Sequence, residues 1–191
     1  VIYDETSGMA AVCDEYNSKE TLMSVYDIKT GNSVVSFKVS GDVALFDIRE
    51  GHLAYACTDS TMIYIYNITT KQTVSYKAPS YSDISRDSIA AVYIHRGKVY
   101  TSTVEQHCYL SYYDLSTGEI VKINQVLYPS LYINRELDRI VNIKTTGSPK
   151  TVEFYDLNTN TFIKEIWLEN RVHYITFMGD YLVDSAGNLF D

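Results

Sequence analysis

Four histidines and three cysteines are the side chains of this chain most suited to metal binding or nucleophilic catalysis. His107 next to Cys108 is the closest pair, but adjacent residues of a strand point to opposite faces and would not chelate one ion together. Cys13 and Cys57 stand alone, and no CxxC spacing occurs. The spacing therefore predicts no metal site and no cofactor.

The carboxylates do not form a recognisable catalytic pattern either. No GxSxG, HExxH, P-loop or GxGxxG motif occurs. Asp138 and Asp180 lie in predicted turns, where a carboxylate usually accepts hydrogen bonds from backbone N–H groups. Asp14 and Glu15 are typical of a solvated strand end. We predict no catalytic residue from these patterns.

Composition limits the possible partners. The formal net charge is −8, and no dense Lys/Arg cluster is present, which argues against direct nucleic-acid binding. No apolar run approaches the length of a membrane span. Three cysteines without a pairing pattern indicate reduced thiols and an intracellular protein, cytoplasmic or nuclear. The N-terminus does not resemble a signal peptide but lacks an initiator Met, so a secreted or periplasmic protein remains the alternative.

The dominant feature of the sequence is one hairpin pattern that occurs four times. The copies are SVYDIKTGNSVVSF, YIYNITTKQTVSY, SYYDLSTGEIVKI and EFYDLNTNTFIKEI. Their aligned tyrosines, Tyr26, Tyr66, Tyr113 and Tyr155, are 40, 47 and 42 residues apart. A fifth copy begins in DYLVDSAGNLFD. A repeat of this length indicates one structural unit used several times.

Turn chemistry follows the tyrosine in every copy. The next residue is an Asp or Asn, whose side chain can accept a hydrogen bond from a backbone N–H two residues further on. Four positions later stands the residue that a bulged hairpin usually places at positive φ, and these residues are Gly31, Lys71, Gly118 and Asn160. Lys71 is the exception and predicts either backbone strain or a different turn.

Two more strand-like runs precede each hairpin, such as DVALFDI and HLAYACT in the second copy. The three prolines, Pro79, Pro129 and Pro149, fall between strands. Each repeat therefore predicts four short antiparallel strands. Such a unit cannot bury both faces by itself, and radial stacking covers them, which favours an all-β fold, the β-propeller. A sandwich and an open solenoid are the alternatives.

We predict one propeller segment over residues 1–191, divided at residues 39, 78, 123 and 167 into four blades and a partial fifth. The two ends overlap and do not complement each other in one blade. We expect a partial ring that belongs to a longer propeller of about six to eight blades. A compact ring of five blades is the alternative.

The repeat also resembles a known family. ACTDSTMIYIYNITTKQTV is similar to the blade signature of WD40-repeat proteins, and VYDIKTGNSVVSF and YYDLSTGEIVKI resemble its closing hairpin. The sequence departs from the family in having no Gly-His dipeptide and in carrying Tyr where Trp is usual. Similar hairpins occur in other propellers, including quinoprotein-like ones. The resemblance implies a non-enzymatic protein-interaction scaffold, a subunit or part of a larger complex.

Connections between strands are the predicted contact surface for partner proteins. The loops between blades, and those between second and third strands, emerge on one face of a propeller. They carry the aromatic and basic side chains that are enriched in interfaces. The candidate residues are Tyr16, Lys19, Tyr81, Arg86, His107, Tyr128, Lys150 and Arg171.

Tyrosine is unusually frequent, with 18 residues against 6 phenylalanines. Most tyrosines alternate within strands, so we expect them to pack between blades, with each hydroxyl reaching water or a carbonyl. A carbohydrate-binding platform is a weaker interpretation. The competing functional hypothesis is a secreted or periplasmic propeller enzyme or ligand-binding protein, quinoprotein-like or carbohydrate-related, whose site residues converge from several blades beyond the reach of sequence spacing.

Overall fold

The computed structural model of the chain describes residues 1–17, 19–80, 88–104, 107–127, 129–144, 150–168, 175–178, 181–184 and 189–190. Within these ranges the regular structure consists of strands alone, arranged in five antiparallel sheets. Each sheet is formed by strands that are consecutive in the chain. We call the sheets blades 1 to 5.

Blades 1 and 2 are four-stranded meanders. The strands of blade 1 are β1 (Ile2–Asp4), β2 (Met9–Asn17), β3 (Glu20–Asp27) and β4 (Ser33–Ser40). The strands of blade 2 are β5 (Val43–Arg49), β6 (His52–Cys57), β7 (Met62–Asn67) and β8 (Thr73–Lys77). Both sheets follow the chain order from first to fourth strand.

Blades 3 and 4 repeat this arrangement, and blade 5 contains three strands. Blade 3 consists of β9 (Ile89–His95), β10 (Lys98–Thr103), β11 (His107–Asp114) and β12 (Ile120–Leu127). Blade 4 consists of β13 (Leu131–Asn134), β14 (Arg139–Lys144), β15 (Lys150–Asp156) and β16 (Thr161–Leu168). Blade 5 consists of β17 (Ile175–Met178), β18 (Tyr181–Asp184) and β19 (Leu189–Phe190). The predicted propeller of four-stranded antiparallel blades, present as a partial ring, is confirmed.

The blades are arranged with their first strands together. The first strands of blades 1 and 2 contact each other, as do those of blades 2 and 3 and of blades 3 and 4. The fourth strands lie at the periphery and are mostly exposed. The inner strands are mostly buried and the fourth strands mostly exposed, as expected for wedges around a common axis.

The hydrophobic core lies between the blades. One cluster joins Met23 and Val25 of blade 1 to Ile48 and Leu53 of blade 2. Equivalent clusters fill the spaces between blades 2 and 3 and between blades 3 and 4. Successive side chains of a strand point to opposite faces of the sheet. In strand β6, Leu53 therefore packs toward blade 1 while the next residue packs toward blade 3. Blades 2 and 3 thus bury both faces against their neighbours.

The repeated hairpin has the predicted geometry. The Asx side chain accepts a hydrogen bond from the backbone N–H of the Thr three residues on, at 2.8 to 3.1 Å in all four copies. In three copies it also accepts one from the residue two positions on. These donors lower the pKa values of Asp27, Asp114 and Asp156. The turn is therefore held by one side chain that the sequence repeats.

Lys71 adopts the same left-handed conformation as its counterparts. Its φ is 59°, against 71° for Gly31, 75° for Gly118 and 55° for Asn160. The Lys71 N–H donates to the Asn67 carbonyl at 2.9 Å, as Gly31 and Gly118 do to the matching carbonyls. Of the two predicted possibilities, the structure therefore shows backbone strain at Lys71 in the same turn, and not a different turn.

We expect Lys71→Gly to increase the free energy of unfolding by about 0.5–1 kcal/mol, because glycine removes the Cβ clash at positive φ. The matched control is Asn160→Gly, which should gain less because Asn tolerates this conformation. Urea denaturation of both variants measures the difference. An unchanged or lowered midpoint for Lys71→Gly would contradict strain at this position.

Several buried tyrosines connect neighbouring blades through their hydroxyl groups, as predicted. Tyr93 Oη of blade 3 donates to the Leu131 carbonyl of blade 4 at 2.7 Å. Tyr76 Oη of blade 2 reaches the Val99 carbonyl of blade 3 at 3.5 Å. Burial raises the pKa of Tyr93 to about 12, so its hydroxyl remains protonated and able to donate. The rings fill the core while the hydroxyls join adjacent blades.

Candidate functional site at the turn face

The segment has two faces that are distinguished by their connections. On one face, the turn between the first and second strands touches the turn between the third and fourth. The Ile28 N–H donates to the Gly8 carbonyl at 2.8 Å, and Ile68 donates to Gly51 in the same way at 2.9 Å. We call this the turn face. The opposite face carries the remaining connections, and we call it the loop face.

The sequence-predicted partner residues that the structure describes lie at the loop face. The Gly41 N–H donates to the Lys19 carbonyl at 2.8 Å, which joins the two connections of blade 1 there. Lys19 and His107 are exposed, and His107 Nδ1 lies 3.1 Å from Gln125 Nε2. Tyr16 and Lys150 are placed by their backbones in β2 and β15, at the ends nearest this face.

The other four predicted residues, Tyr81, Arg86, Tyr128 and Arg171, lie outside the described residues. Their assignment to a partner surface stays a prediction. The described candidates are spread over blades 1, 3 and 4 at the same face. A partner that uses all of them would therefore bridge several blades.

The turn face carries a network of charges that links successive blades. At the same turn position stand Glu50 in blade 2, Arg96 in blade 3 and Asp138 in blade 4, each with φ near 50°. Glu50 accepts hydrogen bonds from the backbone N–H groups of Arg96 at 2.6 Å and Gly97 at 2.7 Å. Arg96 Nη2 in turn lies 2.6 Å from Asp138 Oδ2. Negative, positive and negative side chains thus follow one another around the axis.

Asp138 does not have the role predicted from its position. Its carboxylate binds His95 Nε2 at 2.6 Å, the Arg96 guanidinium and the Asn158 amide. The prediction that its carboxylate accepts backbone N–H groups is therefore wrong. Side chains of blade 3 and of the turn before β16 act as its partners instead. The hydrogen bond from His95 lowers the pKa of Asp138.

Asp4 joins blade 1 to blade 2. Its buried carboxylate accepts hydrogen bonds from Arg49 Nη1 at 2.8 Å and from the Glu50 N–H at 3.2 Å. Within its own turn it accepts from the Thr6 N–H at 3.1 Å and from Ser7 Oγ at 2.7 Å. Burial by itself would raise the pKa of Asp4, but these donors and the Arg49 charge lower it below the ordinary value.

Asp47 and Arg135 connect three blades. The Asp47 side chain extends from β5 to accept a hydrogen bond from the Ile94 N–H of blade 3 at 2.7 Å. Arg135 follows β13 of blade 4 and places Nη2 2.5 Å from the same oxygen of Asp47. Burial raises the pKa of the Asp47 carboxyl, while Arg135 and the Ile94 N–H act in the opposite direction. The guanidinium thus spans the end of blade 3.

Two adjoining cavities open among these side chains. The first has a volume of about 430 Å³ and the second about 630 Å³. Thr6, Arg49 and Arg135 line both. We call the combined space the turn-face cleft. Its walls bring together groups from blades 1 to 4.

The chemistry available in this cleft is binding by hydrogen-bond donors and charge. In the part of the chain that the structure describes, no group of three or more His, Cys, Asp or Glu side chains is arranged to hold a metal ion. Cys13, Cys57 and Cys108 form no disulfide. Burial raises the pKa values of Cys13 and Cys57, which makes them weak nucleophiles at neutral pH. Guanidinium groups are the main functional elements of the cleft.

Sequence reasoning missed this arrangement. The partners Asp4 and Arg49 are 45 residues apart, and Asp47 and Arg135 are 88 residues apart. One signal is present in the sequence, since a charged residue follows or ends the first strand in the first four repeats, as with Arg49-Glu50 and His95-Arg96. The sequence alone indicates only that these residues separate strands.

We expect the Asp4 ion pair to make stability depend on acid pH. A carboxylate whose pKa is lowered by folding contributes stability above the unfolded pKa of 3.8 and loses it as the pH falls through the folded value. Asp4→Asn should therefore be less stable than the parent at neutral pH. The difference in free energy of unfolding between the two proteins should decrease below about pH 4. Urea midpoints measured from neutral to acid pH test this. A difference of constant size would contradict it.

Comparison with known proteins identifies the fold. No protein-family model matches the chain, and no curated protein matches it in sequence. Many solved structures match in shape. U3-55K matches with a TM-score of 0.64 at 12% identity, over 96% of this chain and 57% of that chain. The WD40 repeats of RRP9 match with a TM-score of 0.62 at 12% identity, over 96% and 57%.

A further match is the β-propeller domain of the Trilobed protease from Pyrococcus furiosus, described as having an open velcro topology. Its TM-score is 0.53 at 14% identity, over 75% of this chain and 48% of that chain. The chain therefore spans about half the length of each of these structures. At such identities the likeness shows a propeller fold, with WD40-repeat proteins among the similar structures.

Proposed function

We propose that this chain is a non-enzymatic protein-interaction scaffold, a propeller segment that presents surface loops to partner proteins within a larger protein or complex. The observation that carries the proposal is the burial of both faces of the inner strands against neighbouring blades. Such packing leaves the two ends of the segment and the peripheral strands for recognition. Rigid sheets that support variable connections are a common basis for binding surfaces.

The likeness to WD40 repeats supports this class of function over catalysis. The described part of the chain also contains no helix long and apolar enough to cross a membrane. The cysteine thiols support the proposal that the protein works in a reducing, intracellular compartment.

We assign the loop face as the partner surface. Lys19 and His107 are exposed there on two different blades. Basic and aromatic side chains of this kind contribute strongly to interfaces when a partner desolvates them. The proposed contacts at Tyr16, Tyr81, Arg86, Tyr128, Lys150 and Arg171 complete the predicted surface.

Affinity purification of the tagged protein from its native host, with mass spectrometry of co-purifying proteins, tests the function. The loop-face variant Lys19→Ala/His107→Ala should recover at least about tenfold less partner. The matched control, Lys29→Ala/Lys71→Ala, alters exposed residues of the turn face and should recover partner as the parent does.

Two results would contradict the proposal at different levels. If the parent retains no protein above an unrelated bait, the scaffold function is wrong. If both double variants retain the partner equally, a scaffold is supported but the loop face is not the surface that binds. Thermal denaturation of each variant confirms that lost binding does not reflect unfolding.

A further inference from the structure

The turn-face cleft contains more hydrogen-bond donors than its own acceptors use. The two carboxylates that line its cavity of about 430 Å³ are already hydrogen-bonded by neighbouring groups. Asp4 accepts four hydrogen bonds, from Thr6, Ser7, Arg49 and Glu50. Each oxygen of the Glu50 carboxylate accepts a backbone N–H. These acids therefore have little capacity left for a ligand.

Two arginines of the cleft, by contrast, have N–H donors that no acceptor in the described part of the chain uses. A guanidinium has five N–H donors in a planar fork. Within the described residues, Arg49 donates to Asp4 alone, and its Nε is buried without a hydrogen-bond partner. Arg135 donates through Nη2 to Asp47 and through Nε to the Ile94 carbonyl. Both side chains line both cavities of the cleft.

Surplus guanidinium donors in a partly desolvated cleft favour an oxyanion, because charge-assisted hydrogen bonds from arginine are stronger than neutral ones. Arg96 lines the same cavity of about 430 Å³ and is paired with Asp138. The two cavities are lined by arginines and carboxylates together. Unused N–H donors of Arg49 and Arg135, and not a net positive charge, therefore favour an oxyanion at this site.

The shape and rim of the cleft indicate what carries the anion. The adjoining cavity of about 630 Å³ is walled by Tyr3 and Ile133, which suit apolar side chains. Glu5 and Glu136 also line it. These carboxylates disfavour a ligand with a charge on every unit, such as nucleic acid. A peptide can combine an isolated carboxylate with an adjacent apolar side chain. The carboxylate suits the arginines of the cleft, and the apolar side chain suits Tyr3 and Ile133.

We propose that the turn-face cleft binds an acidic peptide segment of a partner protein, with an Asp or Glu carboxylate held by Arg49 and Arg135 and an adjacent apolar side chain against Tyr3 and Ile133. The proposal adds a second site to the proposed scaffold function, on the face opposite the loop face. It rests on that function only in that the peptide belongs to a protein.

A matched pair of variants tests the cleft without touching its ion pairs. Thr6 and Thr69 are both exposed, and each donates its backbone N–H to an Asx side chain two residues earlier. Thr6→Glu places a negative charge inside the cleft, whereas Thr69→Glu places the same charge on the turn face of blade 2 outside it. Because both changes leave the backbone donor in place, both variants should fold.

The probe is an array of short peptides that contain Asp or Glu among apolar residues, printed beside the same sequences with Asn and Gln. Fluorescence anisotropy then measures dissociation constants for the retained peptides. We expect binding by the acidic members alone, weakened at least about tenfold by Thr6→Glu and changed less than about twofold by Thr69→Glu. Arg49→Gln should weaken binding as well, and Lys29→Gln, with the same change of charge, should not.

Several outcomes would overturn the proposal. If acidic peptides bind no better than their amide counterparts, the ligand is not recognised through a carboxylate. If Thr6→Glu and Thr69→Glu bind the peptides equally, the turn-face cleft is not the binding site. Tighter binding of a labelled single-stranded RNA, or of free succinate without any peptide binding, would assign the site to another class of ligand. None of these results bears on partner recovery through Lys19 and His107, so the scaffold function is judged separately.

Discussion

Arg135→Met should destabilise the protein by about 3–5 kcal/mol, because it removes the counter-charge that is hydrogen-bonded to the buried Asp47 carboxylate. Asp47 is 4% exposed and is held between blades 2, 3 and 4. With the guanidinium removed, the Ile94 N–H is the remaining hydrogen-bond donor to Asp47 within the described residues. The free energy of unfolding from urea titration measures the loss.

A double variant distinguishes the energetic cost of an unpaired buried charge from the cost of losing the packing of the Arg135 side chain. In Asp47→Asn/Arg135→Met, the amide oxygen still accepts the Ile94 N–H while the buried charge is gone. This double variant should recover most of the loss and end within about 1–2 kcal/mol of the parent. Lys38→Met breaks an exposed pair with Glu20 at 3.7 Å and should cost less than about 1 kcal/mol. A double variant no better than Arg135→Met would show that the guanidinium acts through packing instead.

Tyr155→Ala should cost about 3–5 kcal/mol, because it opens a cavity between blades 3 and 4. Tyr155 is fully buried, lies in the core cluster that joins these blades, and packs against Phe162 with ring centroids 5.8 Å apart. Its hydroxyl donates to Glu153 at 3.0 Å and accepts from the Asn124 amide at 3.1 Å. Ring and hydroxyl both contribute to this interface.

Tyr155→Phe isolates the hydroxyl and should cost only about 1–2 kcal/mol, the price of two unmade hydrogen bonds. Tyr132→Ala is the matched control, since Tyr132 is 39% exposed on β13 and should cost less than about 1 kcal/mol. Urea denaturation of the three variants ranks them. If Tyr155→Ala and Tyr155→Phe lose the same stability, the cavity does not determine the effect, and our account of the blade interface is wrong.

Local chemistry explains why the blades were predictable. The Asx side chain, the Thr that follows and the residue at positive φ all interact within one turn, as Asp27, Thr30 and Gly31 do. These contacts repeat at nearly constant spacing, so the sequence contains each hairpin in full. Burial of both faces then followed from the inability of one four-stranded sheet to cover itself. Even the conflict at Lys71 is visible in the sequence, because the other copies have Gly or Asn at this position.

The turn-face cleft was not predictable in the same way. Asp47 sits within an apolar strand, and nothing nearby in sequence identifies Arg135 as its partner. Asp138 reads as an ordinary turn carboxylate until His95 and Arg96 of the preceding blade come within hydrogen-bond distance. The predicted surface at Lys19 and His107 rested on which connections share a face, and it did not include the opposite face, where the cleft lies.

The sequence by itself determined the repeated unit, its strands and its turns, because those depend on contacts between residues a few positions apart. Only the tertiary structure decided which charges meet around the axis, because the angle and distance between blades bring together side chains that belong to different repeats. Hydrogen bonds and ion pairs act over a few ångströms, and the order of residues along the chain does not specify such distances between units.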